Sequence, residues 1–185
     1  MTSFSFSASA MKLNAGIGGY SPFSFTTQTD SDGGKSLLRV KPTLFLGGLF
    51  EAPLNHFFAP EFGMVLHGSG EDNYSKSTYY LLTDLVYPLT AEFVLRYGYG
   101  LFMTRISGDG EEVLLNNGSS YSTFYTAGEA VTSYNSTINL GLEFVVRSDA
   151  TFRLQAFVFQ PFSSIDREVS YMFSYAFFFD GGGSI

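Results

Sequence analysis

The chain has 185 residues, the length of one domain, and a formal net charge of −7 from 10 Lys plus Arg against 17 Asp plus Glu. With no basic stripe to meet phosphates it argues against a nucleic-acid partner, and the absence of Cys excludes both a disulfide framework and a thiolate metal site. Hydrophobic residues make up 45% and charged residues only 15%, where a soluble domain carries about a quarter charged, yet no run approaches the ~20 apolar residues of a transmembrane helix.

A chain this apolar without long apolar runs spreads its apolar residues by alternation. Lipid admits only helices and closed sheets, so alternation points to a membrane barrel. About eight alternating segments can be marked. The first runs from Ser3 to Ile17, with Phe4, Phe6, Ala8 and Ala10 on one face and serines on the other. Its parity then switches to Met11, Leu13, Ala15 and Ile17, and a one-residue bulge between Ser9 and Lys12 accounts for the switch. The second, Ser36–Phe50, sets Leu38, Val40, Leu44, Leu46 and Phe50 against Arg39, Lys41, Thr43 and Gly47. The third, His56–Gly68, sets Phe58, Phe62, Met64 and Leu66 against Glu61, Gly63, Val65 and His67.

The fourth segment, Ser77–Tyr87, has Tyr79, Leu81, Leu85 and Tyr87 opposite Asp84. In the fifth, Phe93, Leu95, Tyr97, Tyr99, Leu101 and Met103 oppose Glu92, Val94, Arg96, Gly98, Gly100 and Thr104. The sixth sets Ile138, Leu140, Leu142, Phe144 and Val146 against Asn139, Gly141, Glu143 and Arg147. The seventh sets Phe152, Leu154, Ala156 and Val158 against Arg153, Gln155, Phe157 and Phe159. In the eighth, Val169, Tyr171, Phe173, Tyr175, Phe177 and Phe179 share one face with no charge among them, over a length that matches the roughly 9–11 residues of a tilted membrane strand.

The connections alternate in length. Short ones fall at Glu51–Asn55, Pro88–Ala91 and Arg147–Ala150; longer ones, rich in Gly, Ser, Asp and Asn, fall at Gly18–Lys35, Gly68–Lys76, Arg105–Tyr134 and Pro161–Glu168. Short turns on one rim and long loops on the other are the outer-membrane layout, with the long loops outside the cell. Pro42 and Pro60 fall within neighbouring strands, where each removes a ladder donor; this predicts a bulge or a local break in pairing, or else a weak seam. Residues 1–180 are read as a single barrel domain and 181–185 as a flexible tail. Met1 leads into Thr2-Ser3-Phe4 without a basic and then apolar leader, so an export signal is expected to have been removed.

One face of these strands carries Lys12, Arg39, Lys41, Glu61, Asp84, Glu92, Arg96, Glu143 and Arg153. Arg or Lys on a lipid face costs about 2–4 kcal/mol at the bilayer midplane, so this is the lumen face. An eight-stranded barrel is just wide enough for side chains to fill, and the charges are expected to pair there; a conducting lumen is the alternative. Gly47, Gly63, Gly98, Gly100 and Gly141 share that side and make room for large neighbours. No cofactor is expected. The acidic fragments Asp30-Ser31-Asp32-Gly33 and Asp109-Gly110-Glu111-Glu112 lack full calcium-loop spacing and are read as solvated loops.

The aromatic last strand, Tyr171, Phe173, Tyr175, Phe177 and Phe179, resembles the C-terminal assembly signal of Gram-negative outer-membrane barrels. One departure is that Asp180, three glycines, Ser184 and Ile185 follow the final Phe. The chain as a whole resembles the small eight-stranded barrels of the OmpA/OmpX type. That resemblance implies an all-β, antiparallel, up-and-down transmembrane barrel in the bacterial outer membrane, inserted by the barrel-assembly machinery and surrounded by membrane lipids. It transfers no functional residue, because fold does not fix function. His67-Gly68-Ser69 also resembles the His-x-Ser of lipid A deacylase barrels, with Glu71 as a candidate orienting acid, although in those barrels the motif lies in a late strand. Three roles stay open: a non-enzymatic surface barrel, a narrow pore and a lipid-modifying enzyme. Ala8, Ala10 and Ala15 on the outer face of the first strand are the candidate contact of a homo-oligomer, since small residues let backbones approach in membranes.

Overall fold

The computed structural model describes residues 12–21, 28–29, 35–36, 40–67, 74–116, 121–125, 127–164 and 167–180. Period-two alternation over β-branched and aromatic residues makes strands throughout. They are β1 (Lys12–Ser21), β2 (Gln28–Thr29), β3 (Lys35–Ser36), β4 (Lys41–Ala52), β5 (His56–Val65) and β6 (Tyr74–Pro88). These are followed by β7 (Phe93–Gly108), β8 (Glu112–Asn116), β9 (Tyr121–Tyr125), β10 (Val131–Arg147), β11 (Ala150–Phe159) and β12 (Glu168–Asp180). Eight of them close a barrel in the order β1-β12-β11-β10-β7-β6-β5-β4, while β2–β3 and β8–β9 form two small separate pairs. Every barrel pairing is antiparallel, and closure joins β1 to β12 from Lys12↔Asp180 to Ser21↔Tyr171. The expected eight-stranded antiparallel barrel is therefore the fold.

Side chains sort by parity. Ile17, Leu46, Phe62 and Leu140 point outward and are more than half exposed, while Thr43, Glu61, Asp84, Arg96, Glu143 and Arg153 point inward and are buried. The outward positions between the rims carry no Asp, Glu, Lys or Arg among the described residues. That band suits hydrocarbon.

The two rims differ. At one, the tight connections 53–55, 89–92 and 148–149 lie beside the paired ends of β1 and β12. Outward-facing rings line this rim: His56 packs tilted against Tyr87 with centroids 5.0 Å apart, Tyr97 meets His56 edge-on, and Phe93 packs on Phe144 at 5.2 Å. Such rings sit at the level of lipid headgroups. At the other rim β6, β7 and β10 run past their neighbours. They pair from Tyr74↔Gly108 and Val131↔Ile106, whereas β5 stops at Val65↔Thr78 and β11 at Thr137↔Phe159.

Several boundaries differ from the sequence reading. The first strand does not stop at Ile17 but continues to Ser21, because Gly18 and Gly19 let β1 lie against Phe173 and Ser174, where a Cβ would collide with backbone or ring atoms. Its expected beginning, Ser3 to Met11, lies outside the described residues. The second strand begins at Lys41 rather than Ser36, which pairs instead in β2–β3. Arg105–Tyr134 is not one loop: its ends extend β7 and β10, and β8–β9 is a hairpin within it. At Pro60 the β4–β5 ladder is interrupted between Gly47↔Glu61 and Phe50↔Phe58 and resumes in the same register. The missing N–H therefore breaks pairing locally without a bulge.

Candidate functional site in the barrel interior and at its outer mouth

Five adjacent strands, β5, β6, β7, β10 and β11, bring the buried charges together. Glu143 on β10 lies directly opposite Arg153 on β11, and Arg96 on β7 lies opposite Gly141 on β10 and Val86 on β6. Arg96 donates from Nε to Glu143 Oε1 at 2.6 Å and from Nη1 to Asp84 Oδ2 at 2.9 Å. Arg153 donates from Nη1 to Glu61 Oε2 at 2.5 Å, its Nε lies 3.0 Å from Glu143 Oε1, and its guanidinium covers the Phe45 ring at 5.1 Å. Asp84 also accepts from Asn139 Nδ2 at 2.6 Å and from Gln155 Nε2 at 3.3 Å. Paired, hydrogen-bonded and dry is the state in which buried charge is tolerated.

Glycines make this possible. Gly98 stands opposite both Asp84 and Asn139, and Gly141 opposite both Arg96 and Gln155; a Cβ at Gly98 would meet Asp84 and the Thr83 carbonyl. A second layer lies nearer the long-loop rim, where Phe102 is enclosed by aromatic rings. Tyr80, Tyr20, Phe157 and Phe159 surround it with centroids 5.3, 5.9, 5.5 and 4.9 Å away. Tyr80 reaches across to Met172, donating to its Sδ at 3.9 Å.

Of the nine charges expected on the lumen face, five meet in this network: Glu61, Asp84, Arg96, Glu143 and Arg153. Three carboxylates face two guanidiniums, so this group pairs its charges with one carboxylate in excess. Lys12 is exposed at the start of β1, and Glu92 is exposed in the turn where Thr90 Oγ1 accepts from the Glu92 and Phe93 N–H groups. The turn ends the alternation one residue before Phe93, which takes Glu92 out of the lumen. Lys41 lies at the outer mouth, and Arg39 lies outside the described residues. Asn139 and Gln155 complete the network, and Tyr20, Tyr80 and Phe102 fill the layer above it; each shares the parity of a flagged charge or glycine, the signal by which it could have been found.

At the mouth, Lys41 Nζ donates to His67 Nδ1 at 2.9 Å, so the imidazole proton is on Nε2, which donates to Thr78 Oγ1 at 2.9 Å. Partial burial, then the Lys41 and Lys76 ammonium groups, push the His67 pKa down to about 4. Both ring nitrogens are thus engaged away from any serine, and Ser69 and Glu71 lie outside the described residues. Ala8 and Ala10 lie there too. Ala15 is outward on β1 and lines an apolar wall groove of about 510 Å³ together with Ile17, Leu46, Phe62 and Phe177. Tyr171, Phe173, Tyr175, Phe177 and Phe179 all lie on the outer face of β12, paired with β1 and β11.

No family model matches the sequence, and no curated protein matches it. Solved structures do match in fold. The Yersinia pestis outer membrane protein Ail in a phospholipid bilayer nanodisc superposes with a TM-score of 0.52 at 12% identity, covering 92% of this chain and 99% of that one. Neisserial surface protein A gives 0.51 at 10% identity, covering 92% and 96%. The N-terminal barrel domain of Pseudomonas aeruginosa OprF gives 0.48 at 8% identity, covering 92% and 98%. The fold is that of the small eight-stranded outer-membrane barrels. In this chain the barrel encloses the buried Glu61–Arg153–Glu143–Arg96–Asp84 chain with the aromatic layer above it.

Proposed function

We propose that this protein is an integral barrel of the bacterial outer membrane whose lumen is filled by its own side chains, and which acts without catalysis through its outer strands and wall. The observation that carries this reading is the two-layer interior, a chain of ion pairs beneath a ring of packed aromatics. It supports a scaffold rather than a conduit, because side chains packed and paired across the interior fill the space that a polar path would need. The outward extension of β6, β7 and β10 supports a role at the cell surface. The Val131–Ser136 edge of that extension carries no charge and no Pro, and its Val131 and Tyr134 are exposed. Engagement of both His67 nitrogens by Lys41 and Thr78 supports a non-enzymatic role.

The partners in this reading are membrane lipids along the wall, the barrel-assembly machinery during insertion and a second copy of the chain at the Ala15 groove. Lipid extracted from membranes with and without the protein tests the absence of catalysis: identical lipid A and phospholipid profiles are expected, and a processed species contradicts it. Light scattering in mild detergent tests the copy–copy contact. An oligomer that Ala15→Leu dissociates is expected; a monomer ends that part of the proposal.

A further inference from the structure

Among the described residues the outward face of the wall carries no charge between the rims, and the first one met beyond it on β7 is Arg105. Phe93, one of the rings lining the short-turn rim, and Arg105 stand twelve positions apart on β7 with the same outward parity. At about 3.3 Å per residue and a tilt of about 40°, that spacing lifts Arg105 roughly 30 Å above Phe93, a little more than the ~25 Å apolar band of such barrels. Arg105 therefore lies at the outer headgroup level. One step toward the midplane, the outward row Tyr79–Met103–Tyr134 closes the apolar band. Directly beside Arg105 in the sheet stand Ser77 on β6 and Thr132 on β10, two hydroxyl residues of the same parity.

Of the charged residues that the described barrel strands carry near the long-loop rim, Lys41, Lys76 and Glu168 have lumen parity, and Arg105 alone has outward parity. Its side chain is exposed, and none of the described hydrogen bonds or ion pairs holds it. We infer that Arg105, with Ser77 and Thr132, holds the phosphate group of an outer-leaflet lipid. This rests on the proposed outer-membrane barrel and adds the chemistry of the lipid it selects. A guanidinium fork meets two phosphate oxygens in parallel bonds, and at the edge of the hydrocarbon that attraction is less screened than in open water. The acyl chains below then lie against the exposed Leu81 and Leu101, which pair across β6 and β7. Charge also selects the source of the phosphate. The exposed Asp109, Glu112 and Glu129 beyond β7 are acidic; they repel an anion dissolved above the rim and leave Arg105 to one that arrives in the plane of the membrane.

Full-length protein is refolded into phosphatidylcholine nanodiscs with a rising fraction of phosphatidic acid, and its backbone amides are followed by NMR. Saturable shifts are expected at Ser77, Arg105 and Thr132, with the buried Asp84 and Glu143 unmoved. Arg105→Gln weakens the response about tenfold, the loss of a charge-assisted hydrogen bond, and Arg105→Lys keeps part of it. Lys76→Met removes a charge from the lumen face of the adjacent strand and is expected to leave the response unchanged. Shifts that do not saturate, undiminished affinity in Arg105→Gln, or an equal loss in Lys76→Met overturns the inference. Inorganic phosphate in the buffer is expected to move none of the three amides; a saturable shift from it overturns the lipid source. Circular dichroism and unmoved β12 amides show that each variant is folded. A parent chain that fails to enter the nanodiscs as a barrel contradicts the membrane reading itself, whereas an inserted barrel without preference for phosphatidic acid overturns this inference alone.

Discussion

Arg96 is the residue on which the interior turns, because it alone ties Asp84 to Glu143. Replacing it with Met keeps the volume of the stem but takes from buried Asp84 its ion-pair partner and leaves Glu143 with Arg153 alone. Removing one partner of a buried pair costs about 3–5 kcal/mol, chiefly for the charge left behind. Urea unfolding of Arg96→Met, followed by circular dichroism in vesicles, is expected to lose that much relative to the parent chain. A loss under about 1 kcal/mol contradicts the buried network. His67 supplies a pH dependence of the opposite origin. Its folded pKa of about 4 lies below the ordinary 6.5, so on acidification the unfolded chain takes the proton first. Its contribution to stability is whole above pH 6.5 and is lost as the pH falls toward 4. The drop in urea midpoint between pH 7.5 and 4.5 is expected to be smaller in His67→Gln than in the parent; equal drops contradict the assignment. Parity made Glu61, Asp84, Arg96, Glu143 and Arg153 legible as inward residues from the sequence. It could not tell that Lys12 and Glu92 stand at the ends of the alternation, where a turn rather than the lumen receives them. Nor could it give their partners, since Arg153 meets Glu61 across the lumen and not along a strand.

At the scale of the element, the strands that read best were those whose two faces differ most. Phe93 to Met103 and Val169 to Phe179 alternate without a break, and β7 and β12 contain them. Boundaries read worst where the chain outruns the membrane. Beyond the rim, polar strand residues look like loop residues, so alternation alone does not reveal the outer ends of β6, β7 and β10. Glycine misled in the same way at Gly18 and Gly19, which serve close strand approach and not a turn. The orientation follows from loop asymmetry, since long excursions of small barrels gather on the extracellular side. Protease added to intact cells is expected to cut between Asp109 and Glu129. Cutting only after the periplasm is opened reverses the topology.

For the whole molecule, composition and alternation pointed to a closed antiparallel sheet with an apolar outer wall, and the eight-stranded barrel has that form. What fills the sheet was less legible, because an inward Tyr80 or Phe102 is chemically the same residue as an outward Tyr79 or Phe93, and only closure distinguishes them. The proposed role requires a lumen blocked by the ion pairs that Arg96 and Arg153 make with Asp84, Glu143 and Glu61 and by the rings around Phe102. Liposome swelling with the refolded protein tests it most directly. No entry of arabinose or glycine above protein-free vesicles is expected; swelling that scales with the amount of folded protein would contradict a blocked lumen.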